Sequence, residues 1–327
     1  MQILFVIVQR IGYAISLLIA VVIFNFVLLS LVPGDIAETL AGEAGGASPE
    51  LMEQIRRSYG LDQPFHVQLF SYVARVLQGD LGTSYYFNVP VTELILDRVG
   101  PTLLLVTTSL LIAIVVGTLL GIVAAQNPNG IFSHLVTVLA LIGFSAPVFW
   151  TAFMLIVLFV SILGILPLTG MVEPTTPSGT LEWYLEVAHH LILPALSLAS
   201  VYVAQYSRLA RASMMDILGS DYIRTARAKG LSQRMVVYKH GLRNAIIPVI
   251  TIAGLQFSYI FSGAVVIETV FNWPGLGTLA LDAILRSDTP TIMGILFISA
   301  FVVIVFNVLT DLACRIADPR IRSARNV

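Results

Sequence analysis

The chain has 327 residues, 57% of them hydrophobic and 11% charged, with a mean hydropathy of +0.89 and a net charge of −1. Soluble domains carry about 25% charged residues, so this composition excludes an ordinary water-soluble domain, and the near-neutral balance offers no electrostatic footprint for nucleic acid. A single cysteine, Cys314, excludes an intrachain disulfide.

A helix that crosses a bilayer needs about 20 predominantly apolar residues. Six stretches are predicted to cross: 11–32, 102–125, 135–163, 191–206, 245–267 and 292–309. The first has an apolar run of about 22 residues, longer than the 7–15 of a signal peptide, and no A-x-A site follows it, so it reads as a retained helix.

The connection 33–101 is long and reads as a small helical unit outside the membrane. Ser48-Pro49-Glu50 is a helix start, with Pro at the first helical position, and Gly60 is a stop. A second helix is predicted after Asp62-Gln63-Pro64. Its residues Leu69, Phe70, Val73, Val76 and Leu77 recur at spacings of three and four, and Gly79 ends it. Asn127-Pro128-Asn129-Gly130 is a turn between the second and third spans.

Within these limits the six spans contain no Asp, Glu, Lys, Arg or His; Glu268 and Asp311 fall at helix ends. Ion-coupled pumps place ionisable groups inside the membrane, so a carboxylate relay is not expected, nor is an intramembrane aspartyl protease. Neutral polar residues do occur. The fourth span has Ser197, Ser200, Tyr202 and Gln205, and the fifth has Thr251, Gln256, Ser258, Tyr259 and Ser262. Tyr202, Gln205, Gln256, Ser258, Tyr259 and Ser262 are the candidates for lining a wet path; hydrogen bonding between helices is the other reading.

There is no G-x-x-x-x-G-K-[ST] phosphate loop, so ATP is not expected to bind this chain. Catalytic and metal-ligating residues are not expected either. Asp216 and Asp221 stand unaccompanied, His189-His190 has no further ligand at metal spacing and reads as interfacial beside Trp183 and Tyr184, and Gly275-Leu276-Gly277 reads as a turn after Trp273-Pro274.

Thirteen of the 18 Lys and Arg residues lie at the N-terminus, between the fourth and fifth spans, or at the C-terminus. The connection 33–101 instead carries nine acidic residues against four basic ones. The positive-inside rule then puts both termini in the cytoplasm, which an even number of spans allows.

The connection between the fourth and fifth spans, 207–244, is the most informative. Asp221 to Leu231 reads DYIRTARAKGL, with Ser220 as N-cap and Gly230 as stop. Ala226 and Gly230, four apart, are expected on one face where a partner backbone could approach closely, with Arg224, Arg227 and Lys229 supplying charge around them. A second helix is predicted from near Ser232 towards Pro248. This is either a rigid basic peg against which a partner protein pushes, or a segment that sets topology and holds anionic headgroups.

The stretch Ala226-Arg227-Ala228-Lys229-Gly230-Leu231, with His240, Leu242-Arg243-Asn244 and Pro248, resembles the EAA motif of bacterial ABC importer permeases, in particular the dipeptide/oligopeptide/nickel branch. Thr225 stands where the general motif has glutamate. Further pieces follow in the family's order: Leu31 to Asp35, Gly60 to Pro64, Gly79 to Gly82, Val265 to Phe271, Trp273 to Gly277, and Asp318-Pro319-Arg320.

The resemblance implies an all-α integral membrane protein of the type I ABC importer permease fold. Its parts would be 1–32 (first transmembrane helix), 33–101 (extracytoplasmic loop domain), 102–317 (permease core with the loop 207–244) and 318–327 (cytoplasmic tail). It also implies that Asp221, Arg224, Ala226, Arg227, Lys229 and Gly230 belong to a coupling helix seated on a cytoplasmic ATPase. The implied partners are a second homologous permease, two ATPase domains holding ATP and Mg, an extracytoplasmic binding protein, and lipid of the bacterial inner membrane. The implied cargo is a di- or oligopeptide, with nickel chelates, opines or another small solute as the alternative.

Overall fold

The computed structural model describes residues 2–31, 49–58 and 62–317. The described residues are helical apart from turns and one isolated β-bridge between Thr83 and Pro90. The helices are α1 (Gln2–Ser30), α2 (Pro49–Ser58), α3 (Phe65–Leu77), α4 (Val91–Gln126), α5 (Ile131–Ser145), α6 (Val148–Ile156, continued by a π-helical turn Val157–Ile162), α7 (Leu181–Leu218), α8 (Asp221–Ala228), α9 (Leu242–Ala245, preceded by a π-helical turn Met235–Gly241), α10 (Ile247–Phe271), α11 (Leu276–Leu285) and α12 (Thr289–Ala317). They form two compact units, one of 1–100 with 278–305 and the other of 101–277 with 306–327. This grouping differs from the expected one in placing 278–305 with the N-terminal hundred residues.

Helices cover parts of all six expected stretches, and a shorter apolar helix, Gly12–Leu28, lies in the first. Among the described residues three helices are long and apolar enough to span by themselves: Val91–Gln126, Leu181–Leu218 and Thr289–Leu309. Two bent pairs raise the number to five. The expected third span, 135–163, is not one helix; α5 and α6 meet at 108°. The cause is Ala146-Pro147. Proline has no N–H for a helical bond and disfavours the α conformation in the residue before it, and both residues are extended, with ψ of 131° and 139°. The second bent pair, Ala264–Phe271 with Leu276–Leu285, turns by 82°.

In the first unit α1 packs on α3 through Phe26, whose ring stands 5.4 Å from Phe65 and 5.5 Å from Tyr72. The predicted apolar face of α3 is rotated. Tyr72 and Val76 are buried, whereas Phe70 and Leu77 are largely exposed. Ser48, Gly60 and Leu61 lie outside the described residues, as do Val32 to Asp35 and Asp318-Pro319-Arg320. At the start of α12, buried Asp288 accepts hydrogen bonds from the Ser84 hydroxyl, the Tyr85 N–H at 3.1 Å and the Thr291 hydroxyl at 2.7 Å. That carboxylate holds the turn 83–90 in place, and the Arg286 guanidinium lies 3.6 Å over the Tyr86 ring.

The second unit is organised by α4 and α7. Ala113, Gly117, Gly121 and Ala125 recur every four residues, so they share one stripe of α4. A Cβ on Gly117 would stand 2.7 Å from the Tyr206 Cβ, and one on Gly121 only 2.5 Å from the Ser207 carbonyl oxygen. Nothing larger than glycine fits either place. Around this crossing Ala113, Ala199, Tyr206, Ala210 and Val249 form a buried cluster. Ile122, Ala125, Met214, Val237 and Ala245 form another, which carries the connection 219–245.

Gly121→Leu forces the two backbones apart and lowers thermal stability in detergent by at least the about 1–3 kcal/mol typical of overpacking, whereas Leu119→Ala, at an exposed position of the same helix, leaves it nearly unchanged. Burial pushes the Tyr72 phenol up to about 12, against a smaller opposing pull from Arg75. The folded chain therefore keeps this proton where an exposed tyrosine, with a pKa of about 10, has lost it. The stabilisation is full below pH about 10 and disappears as pH rises towards about 12. A tyrosinate absorbance titration of the protein against Tyr72→Phe should show this late-ionising component.

Candidate functional site

The segment 220–245 sits at the end of α7 and is built on an apolar base. Ile223, Ala226 and Val236 are buried together, with Ile217, Leu218 and Leu231 packed around them. Ser220 occupies the N-cap position, as predicted, but its hydroxyl donates back to the Ile217 carbonyl at 2.6 Å instead of capping α8. The Tyr222 hydroxyl accepts from the Asn244 side-chain amide at 3.0 Å, tying α8 to α9.

This geometry corrects one sequence expectation. Ala226 does not present an open face; it points into the base and is 7% exposed. Nor does Gly230 share its helical face, because α8 ends at Ala228 and Gly230 lies beyond it with φ +75°. A Cβ there would meet nothing within 4 Å, so the glycine is required by its left-handed backbone and not by crowding within this chain. The exposed edge of α8 consists of Asp221, Tyr222, Arg224, Thr225, Arg227 and Ala228, continued by Lys229 and Gly230. Arg224 pairs with Asp221 at 3.3 Å, but both side chains are largely exposed, and such a pair adds little stability. The predicted second helix is present, with a π-helical turn at Met235–Gly241. Gly241 fits closely there, since an added Cβ would stand 3.0 Å from Met214 Cε.

The candidate lining residues divide. The Gln256 amide donates to Gln205 Oε1 at 3.1 Å, joining α10 to α7, and Gln256 is buried. For this pair the interhelical bond is what the structure contains. Tyr202 is half-buried on the same face of α7. Ser197, Ser200 and Thr251 donate to carbonyls of their own helices. The side chains of Ser258, Tyr259 and Ser262 lie outside the described residues.

Sequence reasoning missed one constellation in the second unit. α10 continues past the expected limit at Ile267, so Glu268 lies within the helix and is fully buried. Its carboxylate accepts from the Thr102 hydroxyl and from the Gly277 N–H, each at 2.6 Å, while Thr102 Oγ1 accepts from the Leu276 N–H at 2.8 Å. The Trp273 indole donates to the Pro101 carbonyl at 2.9 Å. A Cβ on Gly275 would overlap the carboxylate, and one on Gly277 would stand 2.5 Å from the Val265 Cα. The turn 272–277 is thus wrapped around a buried carboxyl group. An acidic residue at the end of an apolar run, with a Gly-x-Gly turn beginning seven residues later, was the available signal.

His189 and His190 bridge to the carbonyls of Ile165 and Gly170, each at 3.3 Å, and Glu186 accepts from the Glu173 N–H at 3.0 Å and the Thr176 hydroxyl at 2.9 Å. These residues fasten the connection 163–180 to the start of α7. No group of three or more metal-ligating side chains occurs among the described residues.

Long apolar helices carrying a basic segment on a buried apolar base define a membrane-embedded subunit. The chain belongs to the family of binding-protein-dependent transport system inner membrane components, which matches residues 117–323, with the N-terminal region of such components matching residues 3–106. It is therefore an inner-membrane permease subunit of a transport system of that kind. It is 41% identical over 315 residues to a protein of Brucella suis biovar 1 named as a peptide permease, covering 96% of this chain and 98% of the relative. It is 38% identical over 333 residues to the dipeptide transport system permease protein DppB of Escherichia coli K12, covering 97% and 98%. Its fold matches a chain of the inward-facing MetNI methionine ABC transporter with a TM-score of 0.52 at 17% identity, over 69% of this chain and 96% of the other.

Replacing Glu268 by Ala leaves the Thr102 hydroxyl and the Gly277 N–H buried without their acceptor. At about 1–3 kcal/mol for each such group, the variant is expected to melt several degrees lower in detergent and to become susceptible to proteolysis at 272–277. Glu268→Gln keeps one acceptor oxygen and should lose less.

Proposed function

We propose that this chain forms half of the translocation pore of an ATP-driven importer of di- and oligopeptides, and that α8 is the element through which a separate ATPase moves it. The end-to-end similarity to relatives named for peptide and dipeptide transport carries the cargo class. In this reading a second, homologous permease completes the pore. Two cytoplasmic ATPase domains bind ATP and Mg and hydrolyse the nucleotide, and an extracytoplasmic binding protein delivers the peptide. Both termini and the segment 207–244 face the cytoplasm.

The physical support for α8 as the coupling element is its mounting. Its inner face is locked by Ile223, Ala226 and Val236, so force applied to the exposed edge passes to the base instead of bending a loop. Ile217 and Leu218, at the end of α7, belong to that base and also to the neighbouring cluster that includes Val237 and Ala245. A push on α8 therefore reaches α7 directly, and α10 through the short helix before it. Arg224, Arg227 and Lys229 offer the charge that an ATPase groove would match.

Reconstitution of the complete transporter with its binding protein tests the cargo. ATP-dependent accumulation of a labelled dipeptide is expected; accumulation of a nickel chelate or an opine with no peptide uptake overturns the peptide assignment. For α8, Arg227→Glu should reduce co-purification of the ATPase several-fold at unchanged membrane levels. Full retention of the ATPase by this variant and by the double variant Arg224→Glu/Arg227→Glu overturns the coupling assignment.

A further inference from the structure

The base under α8 is apolar, and apolar contact has no preferred direction. Ile223 and Ala226 rest on Val236, with Ile217, Leu218 and Leu231 beside them. Such packing resists compression, but it does not by itself fix how α8 is turned upon the base. A hydrogen bond is directional, and α8 has one at the rim of this base. The Tyr222 hydroxyl accepts from the Asn244 side-chain amide at 3.0 Å and donates more weakly to the His240 carbonyl at 3.5 Å. Tyr222 precedes buried Ile223 on α8, and Asn244 lies on α9.

α9 is itself fastened on its other side. Ala245 is buried in one cluster with Met214 and Val237, and its carbonyl accepts from the Ser213 hydroxyl of α7 at 2.9 Å. Backbone bonds carry α9 on into α10. The Ile246 N–H bonds to the Leu242 carbonyl and the Ile250 N–H to the Ile246 carbonyl, each at 3.0 Å. Asn244 therefore stands at the root of α10, and Tyr222 is a side chain by which α8 grips that root.

The grip crosses an exposed rim. Tyr222 is 41% exposed, and Asn244 is exposed as well. In water such a bond contributes little, because water competes for both groups. The Tyr222 ring belongs to the same exposed edge of α8 as Arg224 and Arg227. A protein seated on that edge would cover the ring and displace the competing water, and in a drier setting the same bond is stronger.

We propose that Tyr222 is a positioning residue of the coupling helix. Its hydroxyl holds Asn244, so that a shift of α8 turns the root of α10 with it, and the grip tightens when the ATPase is seated. This rests on the coupling role of α8 proposed above and adds the directional link that the apolar base lacks. α7 is reached through Ile217 and Leu218, and α10 through Asn244. Without the hydroxyl ATP is still hydrolysed, but α8 slips on its base and part of each stroke is lost.

The test uses the complete transporter with its binding protein in proteoliposomes and reads ATP hydrolysed per labelled dipeptide accumulated. Tyr222→Phe keeps the ring and removes only the hydroxyl. It is expected to raise this ratio about fivefold, the weight of one hydrogen bond, while the ATPase still co-purifies and the isolated permease melts in detergent as the unaltered one does. Asn244→Ala should raise the ratio as much, and the double variant no more than either, because both remove one contact. Asn244→His, which again presents an N–H, should recover part of the coupling. Tyr238→Phe, at another exposed tyrosine of the segment, should leave the ratio unchanged. An unaltered ratio in Tyr222→Phe overturns the proposal, as do additive effects of Tyr222→Phe and Asn244→Ala. A lower melting temperature with no change in ratio overturns it too, since the hydroxyl then only supports the fold. Failure of the coupling assignment itself would appear separately, as full retention of the ATPase by Arg224→Glu/Arg227→Glu.

Discussion

The second unit depends on how closely α4 and α7 approach. In a lipid environment helices gain little from burying apolar surface against each other, since hydrocarbon is already apolar; close packing has to hold them together. Gly117 and Gly121 permit backbone contact with Val203, Tyr206, Ser207 and Ala210 that any side chain would prevent. The closeness has a penalty. Thr118 Oγ1 and Tyr206 Oη are buried in this region without a protein partner among the described residues, and each such group is unfavourable by about 1–3 kcal/mol. The fully buried Ala113, Ala199 and Val249 show how much contact offsets it.

That crossing also positions α8 and its base. The cluster of Ile122, Ala125, Met214, Val237 and Ala245 continues the α4–α7 contact by one further layer, and the base of α8 shares Ile217 and Leu218 with it. The glycine crossing, the apolar base and the exposed basic edge form one mechanical series. A helix mounted on a soft loop would absorb displacement. Here three fully buried residues, Ile223, Val236 and Val237, leave no slack for it to do so.

Breaks in the helices are handled differently from the crossing. Where backbone leaves the helical ladder, its polar groups need other partners, because lipid offers none. At Ala146-Pro147 the proline removes one donor by its own chemistry. At 272–277 the chain supplies an acceptor instead: the Glu268 carboxylate takes the Gly277 N–H, and Thr102 takes the Leu276 N–H. A polar group buried with matched donors is tolerated where an isolated one is not. The nearby connection 163–180 is pinned likewise, with the Gly170 N–H on the Phe271 carbonyl at 2.8 Å and His190 on the Gly170 carbonyl. The turn 83–90 held by Asp288 repeats the device in the first unit.

Apolar runs and turn residues were enough to predict an all-helical membrane chain, the helix at Asp221, its stop at Gly230 and the helix before Pro248, because those features are local: a period, a cap, a missing N–H. The EAA-like segment marks the family by its own residues. What the sequence could not decide was which way each residue looks and where each helix ends in space. Ala226 was expected to face a partner and faces Val236 instead; an alanine has the same propensity on either side of a helix. Glu268 was set aside as a helix-end residue, and its burial depends on Thr102 and Gly277, 166 and nine residues away. The bend at Pro147 was written in the sequence, yet its angle of 108° was not. Gly117 and Gly121 read as ordinary members of an apolar run until α7 was laid against them. Periodicity and capping belong to one segment at a time, whereas close approach and the burial of a carboxyl group are properties of two segments brought together, and only the tertiary structure contains those.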